Sequence, residues 1–248
     1  MASKLKQNIE ELNGLNDKLK IELKEKEKLL ETEKTFMRAI GHELKTPVAI
    51  INGYIEALQD GIIEETEKEK IYEIIYNEAM SIDKLVKDIN SYLKSEFKDL
   101  KPTFEKINMK KVIEFGLKKY SLDIEQKKVD LRLELEDLEM KTDVKIFNII
   151  LNNLLTNALT YMNDEKKLGI YLRDNSLVIE NSTDTISDEV IEKIFNPFYK
   201  IDSSRNRKYG GTGLGLSIVK NLLEALNLKY SFTYDKDRKF AKFTIIFL

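Results

Sequence analysis

Residues 36–47 read Phe-Met-Arg-Ala-Ile-Gly-His-Glu-Leu-Lys-Thr-Pro and contain His42, the single histidine of the 248-residue chain. A lone histidine is more often a surface residue or a hydrogen-bonded core residue than a catalytic one. Here Glu43 is adjacent, Thr46 lies one helical turn further on, and Pro47 follows. A nucleophilic imidazole needs a nearby group that accepts or holds its proton, and Glu43 is such a group. His42 and Glu43 are therefore a candidate catalytic pair.

A 4-3 spacing of apolar residues runs through residues 5–44. This spacing, with charged residues between, is typical of a coiled coil and predicts a parallel dimer in which Asn16 occupies a seam position. Lys26 and Glu33 are charged residues at two other seam positions and weaken the seam, so a single amphipathic helix packed on its own domain is the alternative. The same count places His42 on the side facing away from the seam, where we expect it to be exposed.

A second long helix is predicted over residues 64–96, after a stop at Gly61. Pro47 lies inside the first helix, where it removes one backbone hydrogen bond and is expected to bend the axis. Two long helices joined by a short turn form a hairpin, and neither buries its apolar stripe alone. Two hairpins from a dimer are expected to close a four-helix bundle. Residues 97–102 read as a linker.

Downstream of the linker the pattern changes from helical to mixed. A single helix is predicted over 108–127, and Asp143 is predicted to cap a helix that runs to about Met162. Helices and strands in this order predict an α/β sandwich, with one helical layer over a mixed or antiparallel sheet. The other predicted helices span 187–194 and 213–226, and the predicted strands span 104–107, 129–135, 138–141, 168–172, 177–181, 229–234 and 240–247.

The composition excludes several classes of protein. The 41 basic and 43 acidic residues give a net charge of −2, which disfavours nucleic-acid binding because no overall basic field exists. Cysteine is absent, which rules out disulfides and, with one histidine, makes a structural zinc site very unfavourable. No apolar run approaches the roughly 20 residues needed to cross a bilayer. We expect the chain as given to be soluble and cytoplasmic, and an upstream portion that anchors it to a membrane is left open.

Two asparagines four residues apart, Asn153 and Asn157, project from one face of the helix predicted after Asp143. An amide oxygen is a neutral ligand suited to Mg²⁺, which takes a few protein oxygens together with water and substrate phosphates. Two asparagines on a helix face are also commonly just solvated. The pair is therefore a candidate Mg²⁺ site, but the spacing alone does not decide between a metal site and two solvated side chains.

A glycine cluster, Gly210-Gly211-Thr212-Gly213-Leu214-Gly215-Leu216, opens onto the last predicted helix. Glycines allow the backbone to approach a ligand, and the N–H groups at a helix start point at anions, so the cluster predicts a phosphate cradle. It matches neither a P-loop nor a dinucleotide-binding fingerprint, and a flexible glycine hinge is the alternative. The preceding stretch, Phe195-Asn196-Pro197-Phe198-Tyr199-Lys200, is predicted to anchor a lid in which Lys200 and Arg205 could contact phosphate oxygens.

The stretch around His42, the Asn-Leu-Leu-Thr-Asn-Ala stretch, the Phe-Asn-Pro-Phe-Tyr-Lys stretch and the Gly-Gly-Thr-Gly-Leu-Gly-Leu stretch follow one another in that order. Together they resemble the sensor histidine kinases of two-component systems over about residues 30–248. The resemblance implies an ATP-binding domain of the type shared with gyrase and Hsp90. It also implies a dimerisation and phosphoacceptor hairpin over 35–98 and a catalytic domain over 99–248, which follow the coiled-coil linker helix that the heptad spacing predicts over 1–34.

The resemblance also implies a role for each candidate residue. His42 would take the γ-phosphoryl group of ATP, with Glu43 as its acid/base partner, before the group passes to an aspartate on a response regulator. Thr46 would help to position water for dephosphorylation of the regulator. The nucleotide and its Mg²⁺ would be bound by the downstream stretches, with Asn157 as the metal ligand and with Asn153, Tyr161, Asn181, Lys200, Arg205, Gly211, Gly213, Leu214 and Gly215 around the nucleotide.

The chain departs from the family pattern at the base-binding motif. The family has Asp-x-Gly-x-Gly, whereas this chain has Asn181-Ser182-Thr183-Asp184-Thr185. The amide of Asn181 can accept a hydrogen bond from adenine but is uncharged, so ATP binding is expected to be weaker by about 1 kcal/mol. A kinase-impaired dimeric scaffold or phosphatase is the alternative function. A gyrase-type ATPase is disfavoured because those enzymes have a water-activating glutamate where this chain has Asn153.

Overall fold

The computed structural model describes residues 2–96, 101–200 and 211–247. The chain divides into two compact units, Met1–Ala79 and Met80–Leu248. The predicted boundaries after residues 34 and 98 stay predictions, because a division into compact units does not test them. Within the described residues, we find no helix with the length and apolar character that a bilayer crossing requires.

The helical hairpin begins with α1, which spans Ala2–Gln59 and continues through Pro47. Gly61 ends it in the left-handed conformation, with φ of 69°. The N–H of Ile62 donates to the carbonyl of Ala57 (3.1 Å) and the N–H of Gly61 donates to that of Leu58 (3.3 Å), which is a Schellman motif. A 3₁₀ turn over Glu65–Glu67 leads into α2, Lys68–Glu96. The predicted hairpin and its glycine stop are confirmed.

Three of the shorter helices in the α/β part begin at a residue whose side chain caps the helix. Asn108 caps α3 through its side chain, Asp143 caps α5 by accepting from the N–H groups of Lys145 and Ile146, and Ser187 caps α6. The helices are α3 (Met109–Lys118), α4 (Ser121–Gln126), α5 (Val144–Thr160), α6 (Asp188–Lys193) and α7 (Gly215–Ala225).

The strands form two sheets in the part of the chain that the structure describes. A small antiparallel pair joins β1 and β3, and a larger mixed sheet has the order β2-β4-β5-β7-β6, in which the β2–β4 pair is parallel and the β4–β5, β5–β7 and β7–β6 pairs are antiparallel. The strands are β1 (Glu105–Asn108), β2 (Asp130–Leu135), β3 (Glu139–Thr142), β4 (Lys167–Arg173), β5 (Ser176–Ser182), β6 (Lys229–Asp235) and β7 (Phe240–Ile246).

The core lies between one face of the larger sheet and a layer formed by α5 and α7. Alternate residues of the central strands point into this layer, because successive side chains of a strand face opposite sides. Ile170 pairs with Ile179, and Ile179 with Phe243, so that three neighbouring strands contribute to one apolar row. Helix α5 buries the opposing residues, which include Phe147, Ile150, Leu151 and Leu155. The predicted α/β sandwich is confirmed.

The prediction of one helix over 108–127 is wrong, because the chain turns at Lys119 and Tyr120 between α3 and α4. Tyr120 adopts φ −103° and ψ 5°, and its ring is buried. Its hydroxyl bonds to the hydroxyl of Thr156 (3.1 Å) and donates to the carbonyl of Asn152 (3.3 Å), both on α5. Docking of this tyrosine onto α5 outweighs the helical periodicity of the segment.

Candidate functional site

Helix α5 presents its two predicted asparagines to a cavity. Asn153 donates from Nδ2 to the carbonyl of Ile149 (2.8 Å), one turn back on the same helix. This bond directs its Oδ1 away from the helix axis and towards Gly215, where a methyl group on the glycine would lie 3.1 Å from that oxygen. The Asn157 side chain also lines the cavity and forms no hydrogen bond within the described residues.

The glycine cluster closes one side of the same cavity through close contacts at Gly213 and Gly211. Gly213 has φ of 75°, and a Cβ there would lie 2.8 Å from backbone atoms of Phe198. The N–H of Phe198 donates to the carbonyl of Gly213 (2.9 Å), so the two predicted ends of the lid segment meet. A Cβ on Gly211 would lie 2.7 Å from the hydroxyl of Tyr161. The backbone of the glycine cluster thus packs directly on the backbone of Phe198 and on the hydroxyl of Tyr161.

The start of the lid segment is held by aromatic packing against the sheet. The ring of Phe195 lies 5.6 Å from that of Tyr230 on β6 and 6.3 Å from that of Phe243 on β7. Phe198 itself adopts a positive φ of 62°, which is strained for an aromatic residue. The bond to Gly213 and the packing of Phe195 hold this conformation in place.

The departure from the family pattern lies at the end of β5. Asn181 is buried and donates from Nδ2 to the carbonyl of Ser182 (3.0 Å). Thr183, where the family has a glycine, donates its hydroxyl to the carbonyl of Tyr161 (2.8 Å) and accepts at its own carbonyl from Nδ2 of Asn163 (3.0 Å). Side-chain hydrogen bonds therefore tie this segment to the end of α5.

The cavity has a volume of about 300 Å³, at the lower end of the range for ligand sites. It lies within the Met80–Leu248 unit. Leu214 is not part of its wall, since that side chain is fully buried in the core, and Arg205 lies outside the described residues. The predicted residues that line it are Asn153, Asn157, Tyr161, Asn181, Lys200, Gly211, Gly213 and Gly215.

Sequence reasoning missed the wall residues that come from α2. Lys84 and Asp88 of that helix line the cavity beside Thr212 of the glycine cluster. The hydroxyl of Thr212 donates to Oδ2 of Asp88 (2.7 Å). Burial raises the pKa of the Asp88 carboxyl above its ordinary value, and the Thr212 hydroxyl and the charge of Lys84 only partly offset that rise. Nothing in a helical repeat marks Asp88, because its partner lies 124 residues further on.

The predicted phosphoacceptor residues lie on α1, in the Met1–Ala79 unit. The His42 side chain is exposed and that of Glu43 is partly buried. The hydroxyl of Thr46 donates a long bond (3.5 Å) to the carbonyl of His42, one turn earlier. The expected exposure of His42 is thus confirmed for the single chain. Its accessible imidazole has the property that a phosphoryl acceptor requires.

The donors around the cavity fit a magnesium–phosphate group better than a metal bound by protein alone. Among the described residues, no group of three or more His, Cys, Asp or Glu side chains could hold a metal ion. Mg²⁺ commonly takes one or two protein oxygens and completes its shell with water and substrate phosphates. The Asn157 amide, on the cavity wall and without another hydrogen bond in the described part of the chain, suits that role.

Two protein-family models match the chain. Residues 32–97 match the His Kinase A (phospho-acceptor) domain, and residues 142–248 match the histidine kinase-, DNA gyrase B- and HSP90-like ATPase. Among curated proteins, the sensor histidine kinase CssS of Bacillus subtilis is 30% identical over 209 residues, covering 83% of this chain and 45% of CssS. YclK of the same organism, also a sensor histidine kinase, is 33% identical, covering 86% of this chain and 46% of YclK. The chain thus spans about half the length of these relatives.

Solved structures match both parts of the fold. The Acinetobacter baumannii histidine kinase AdeS superposes with a TM-score of 0.64 at 26% identity, covering 82% of this chain and 95% of that one. The histidine kinase ThkA, solved in complex with the response regulator TrrA, gives a TM-score of 0.68 at 24% identity, covering 86% of this chain and 61% of that one. The ThkA match concerns the fold alone.

Proposed function

Because the chain belongs to the sensor histidine kinases of two-component systems, we propose that it is an ATP-dependent protein-histidine kinase. It transfers the γ-phosphoryl group of ATP to His42, and then to an aspartate of a response regulator. The observation that carries the proposal is the cavity at which α5, the end of β5 and the glycine cluster meet, because all three lie in the segment that matches an ATPase family. Eight of the residues predicted for the nucleotide line it.

The chain's own residues supply the groups for in-line transfer. An imidazole nitrogen of His42 attacks the γ-phosphorus, so that a P–N bond forms while the P–O bond to ADP breaks and ADP leaves. Glu43 takes the imidazole proton as the general base. In the second step an aspartate carboxylate attacks the same phosphorus and the P–N bond breaks, which restores His42.

The cavity residues bind and orient the nucleotide. The N–H groups at the start of α7, beginning at Gly215, would bind phosphate oxygens, and the amide of Asn153 lies beside them. The Asn157 amide oxygen would hold Mg²⁺, which supplies charge neutralisation at the phosphates when it is bound. Asn181 and Tyr161 also line the cavity, and the base would lie against them.

The proposed partners are a second copy of the chain and a response regulator receiver domain. The homodimer would form along the apolar seam of α1 and the hairpin, as the heptad spacing predicts. ThkA, which shares the fold, was solved with a response regulator, and we propose an acceptor of the same class here. Phosphotransfer profiling against candidate receiver domains would identify it.

The proposal is tested by labelling the full chain with γ-³²P ATP. Wild type should acquire a label that is labile in acid and stable in alkali, and His42→Gln should acquire none. The control variant is Lys34→Gln, which changes an exposed residue of α1 eight positions before His42. It should acquire the same label as wild type. A label that survives in His42→Gln would contradict the assignment.

A second candidate function is a kinase-impaired scaffold or regulator phosphatase, which the presence of Asn181 in place of the family's aspartate favours. It predicts no labelling of His42 but faster loss of phosphate from the phosphorylated regulator. That acceleration should disappear in Thr46→Ala, because the hydroxyl would no longer help to position the attacking water. Robust labelling of wild type would exclude this candidate.

A further inference from the structure

The second half of α2 is held at two points two helical turns apart, one on the glycine cluster and one on α7. Asp88 accepts the hydroxyl hydrogen of Thr212 in the glycine cluster (2.7 Å). Seven residues later, Oγ of Ser95 accepts from Nδ2 of Asn221 on α7 (3.2 Å), and Ser95 is itself buried. Residues seven apart share one face of a helix, so a single face of α2 makes both contacts. All four residues belong to the Met80–Leu248 unit.

The contact at Asp88 places an acid where the proposed phosphate cradle lies. Thr212 stands between Gly211 and Gly213, and its hydroxyl oxygen also receives a long bond from the N–H of Leu214 (3.5 Å) at the start of α7. The hydroxyl donor that faces this end of the cavity is therefore already used by a carboxylate. A phosphate oxygen that approached the same donor would compete with the carboxylate for it and, because both groups are anionic, would also be repelled.

We propose that Asp88 is a specificity-determining residue of the nucleotide site, a built-in anionic competitor that lowers the affinity for polyphosphate while α2 is docked on the glycine cluster. Release of the Thr212–Asp88 bond turns the hydroxyl of Thr212 towards the phosphates and removes the opposing charge. The inference rests on the proposed function, since it presumes that the cavity binds a nucleotide. It deepens that function by coupling phosphate affinity to the docking of α2.

The test compares a charged and an uncharged ligand in calorimetric titrations of the full chain. The probes are AMPPNP, a non-hydrolysable ATP analogue, with Mg²⁺, and adenosine. Asp88→Asn keeps the shape of the side chain and removes its charge, so the dissociation constant for AMPPNP should fall by about tenfold, an effect between those of one charge pair in water and at a protein surface. The constant for adenosine should change by less than about twofold, because adenosine carries no phosphate.

The matched control is Asp83→Asn, which removes the same charge from an exposed position of α2 that pairs with Lys87 (2.6 Å) and does not line the cavity. It should change neither dissociation constant. Asp88→Ser is a second variant, for use if the asparagine retains the bond to Thr212, and it should tighten AMPPNP binding likewise.

Unchanged or weaker AMPPNP binding in both Asp88 variants would overturn the proposal, because the carboxylate would then be neutral or would help to order the glycine cluster. If the Asp88 variants bound adenosine more tightly by the same factor as AMPPNP, the proposal would also be overturned, since the effect would not concern phosphate. If wild type and variants bind neither probe, the nucleotide site itself is contradicted. That outcome differs from the others and identifies failure of the proposed function.

Discussion

At the scale of single residues, Asn181 is the wall residue whose chemistry differs most from the family pattern. Its Nδ2 is used by the carbonyl of Ser182, so Oδ1 is the atom left to accept a hydrogen bond from a base. A carboxylate acceptor makes a stronger, charge-assisted bond than an amide oxygen does. The identity of this side chain therefore bears directly on the affinity for ATP.

The first prediction concerns that side chain. Asn181→Asp should lower the dissociation constant for ATP by about fivefold, equivalent to about 1 kcal/mol, as measured by calorimetry. Asn175→Asp makes the same neutral-to-charged change in the exposed β4–β5 turn and should leave the constant unaltered. An unchanged constant for Asn181→Asp, or a sub-micromolar constant for wild type, would contradict the view that this site is weakened.

A second residue, Asp143, links the sequence directly to stability. Its carboxylate accepts from the N–H groups of Lys145 (2.9 Å), Ile146 (3.0 Å) and Thr103 (2.8 Å). Burial of this group disfavours its charge, but these bonds and the charge of Lys145 outweigh burial and lower its pKa below the ordinary value. The ionised carboxylate of Asp143 is therefore more stable in the folded state than in the unfolded chain.

Asp143→Ala should therefore lower the free energy of unfolding of the α/β part by about 1–2 kcal/mol at pH 7, measured by urea denaturation. Because the folded pKa is lowered, this stabilisation is fully present above the unfolded pKa of about 3.9 and is lost as pH falls through the folded pKa. The difference between wild type and variant should shrink accordingly below about pH 4. Asp164→Ala, at an exposed turn, serves as control; a constant difference down to pH 2 would refute the role of the charge.

Asp143 and Asp88 show which contacts can be predicted from the sequence and which cannot. The cap at Asp143 was predictable because its partners on α5 lie two and three residues away. The contact of Asp88 was not, because its partner is distant in the chain and becomes a neighbour only when the sheet and its helices have packed. Hydrogen bonds between near neighbours can be predicted from short sequence spacings. A cavity wall formed by elements that are distant in the chain cannot.

At the scale of elements, the glycine cluster depends on a backbone conformation that side chains resist. Gly213→Ala should weaken AMPPNP binding by about tenfold or more, since a left-handed alanine costs about 1–2 kcal/mol and its methyl group would displace the backbone of Phe198. Calorimetry and a thermal melt would measure both effects.

Gly53→Ala is the matched control for that change. Gly53 lies in α1, and a methyl group there would meet nothing within 4 Å. Alanine is the better helix former by about 1 kcal/mol, so this variant should melt at the same or a higher temperature. Wild-type binding by Gly213→Ala would show that the cluster is only a hinge.

Elements were predictable where periodicity and packing agree. The glycine stop of α1, the helical repeat of α2 and the cap of α5 are all local patterns, and the structure has each of them. The break between α3 and α4 was not foreseen, because the helical repeat continues across it while Tyr120 docks on α5. A tertiary hydrogen bond there overrides a propensity worth only tenths of a kcal/mol per residue.

At the scale of the whole molecule, the N-terminal part of α1 exposes a stripe of large apolar side chains. Leu12, Leu19, Leu23 and Met37 occupy seam positions and are 65%, 54%, 52% and 61% exposed in the single chain. A stripe of this length has no core of its own to cover, and contiguous apolar surface of this kind marks an interaction surface. Knobs-into-holes pairing with a second copy would bury it, with Asn16 setting the register.

The last prediction tests that pairing. Leu19→Glu with Leu23→Glu should convert the chain from a dimer to a monomer of 28.9 kDa in sedimentation equilibrium, because each seam leucine contributes about 1.5–3 kcal/mol per protomer when it is buried. The control is Ile21→Glu: Ile21 lies between them, is 59% exposed, and falls on the outer face of the heptad, so this variant should remain a dimer. Dissociation by all three substitutions alike would mean that charge rather than seam position matters. A wild type that is already monomeric at micromolar concentration would favour the alternative of a single amphipathic helix, because the seam would then hold no partner.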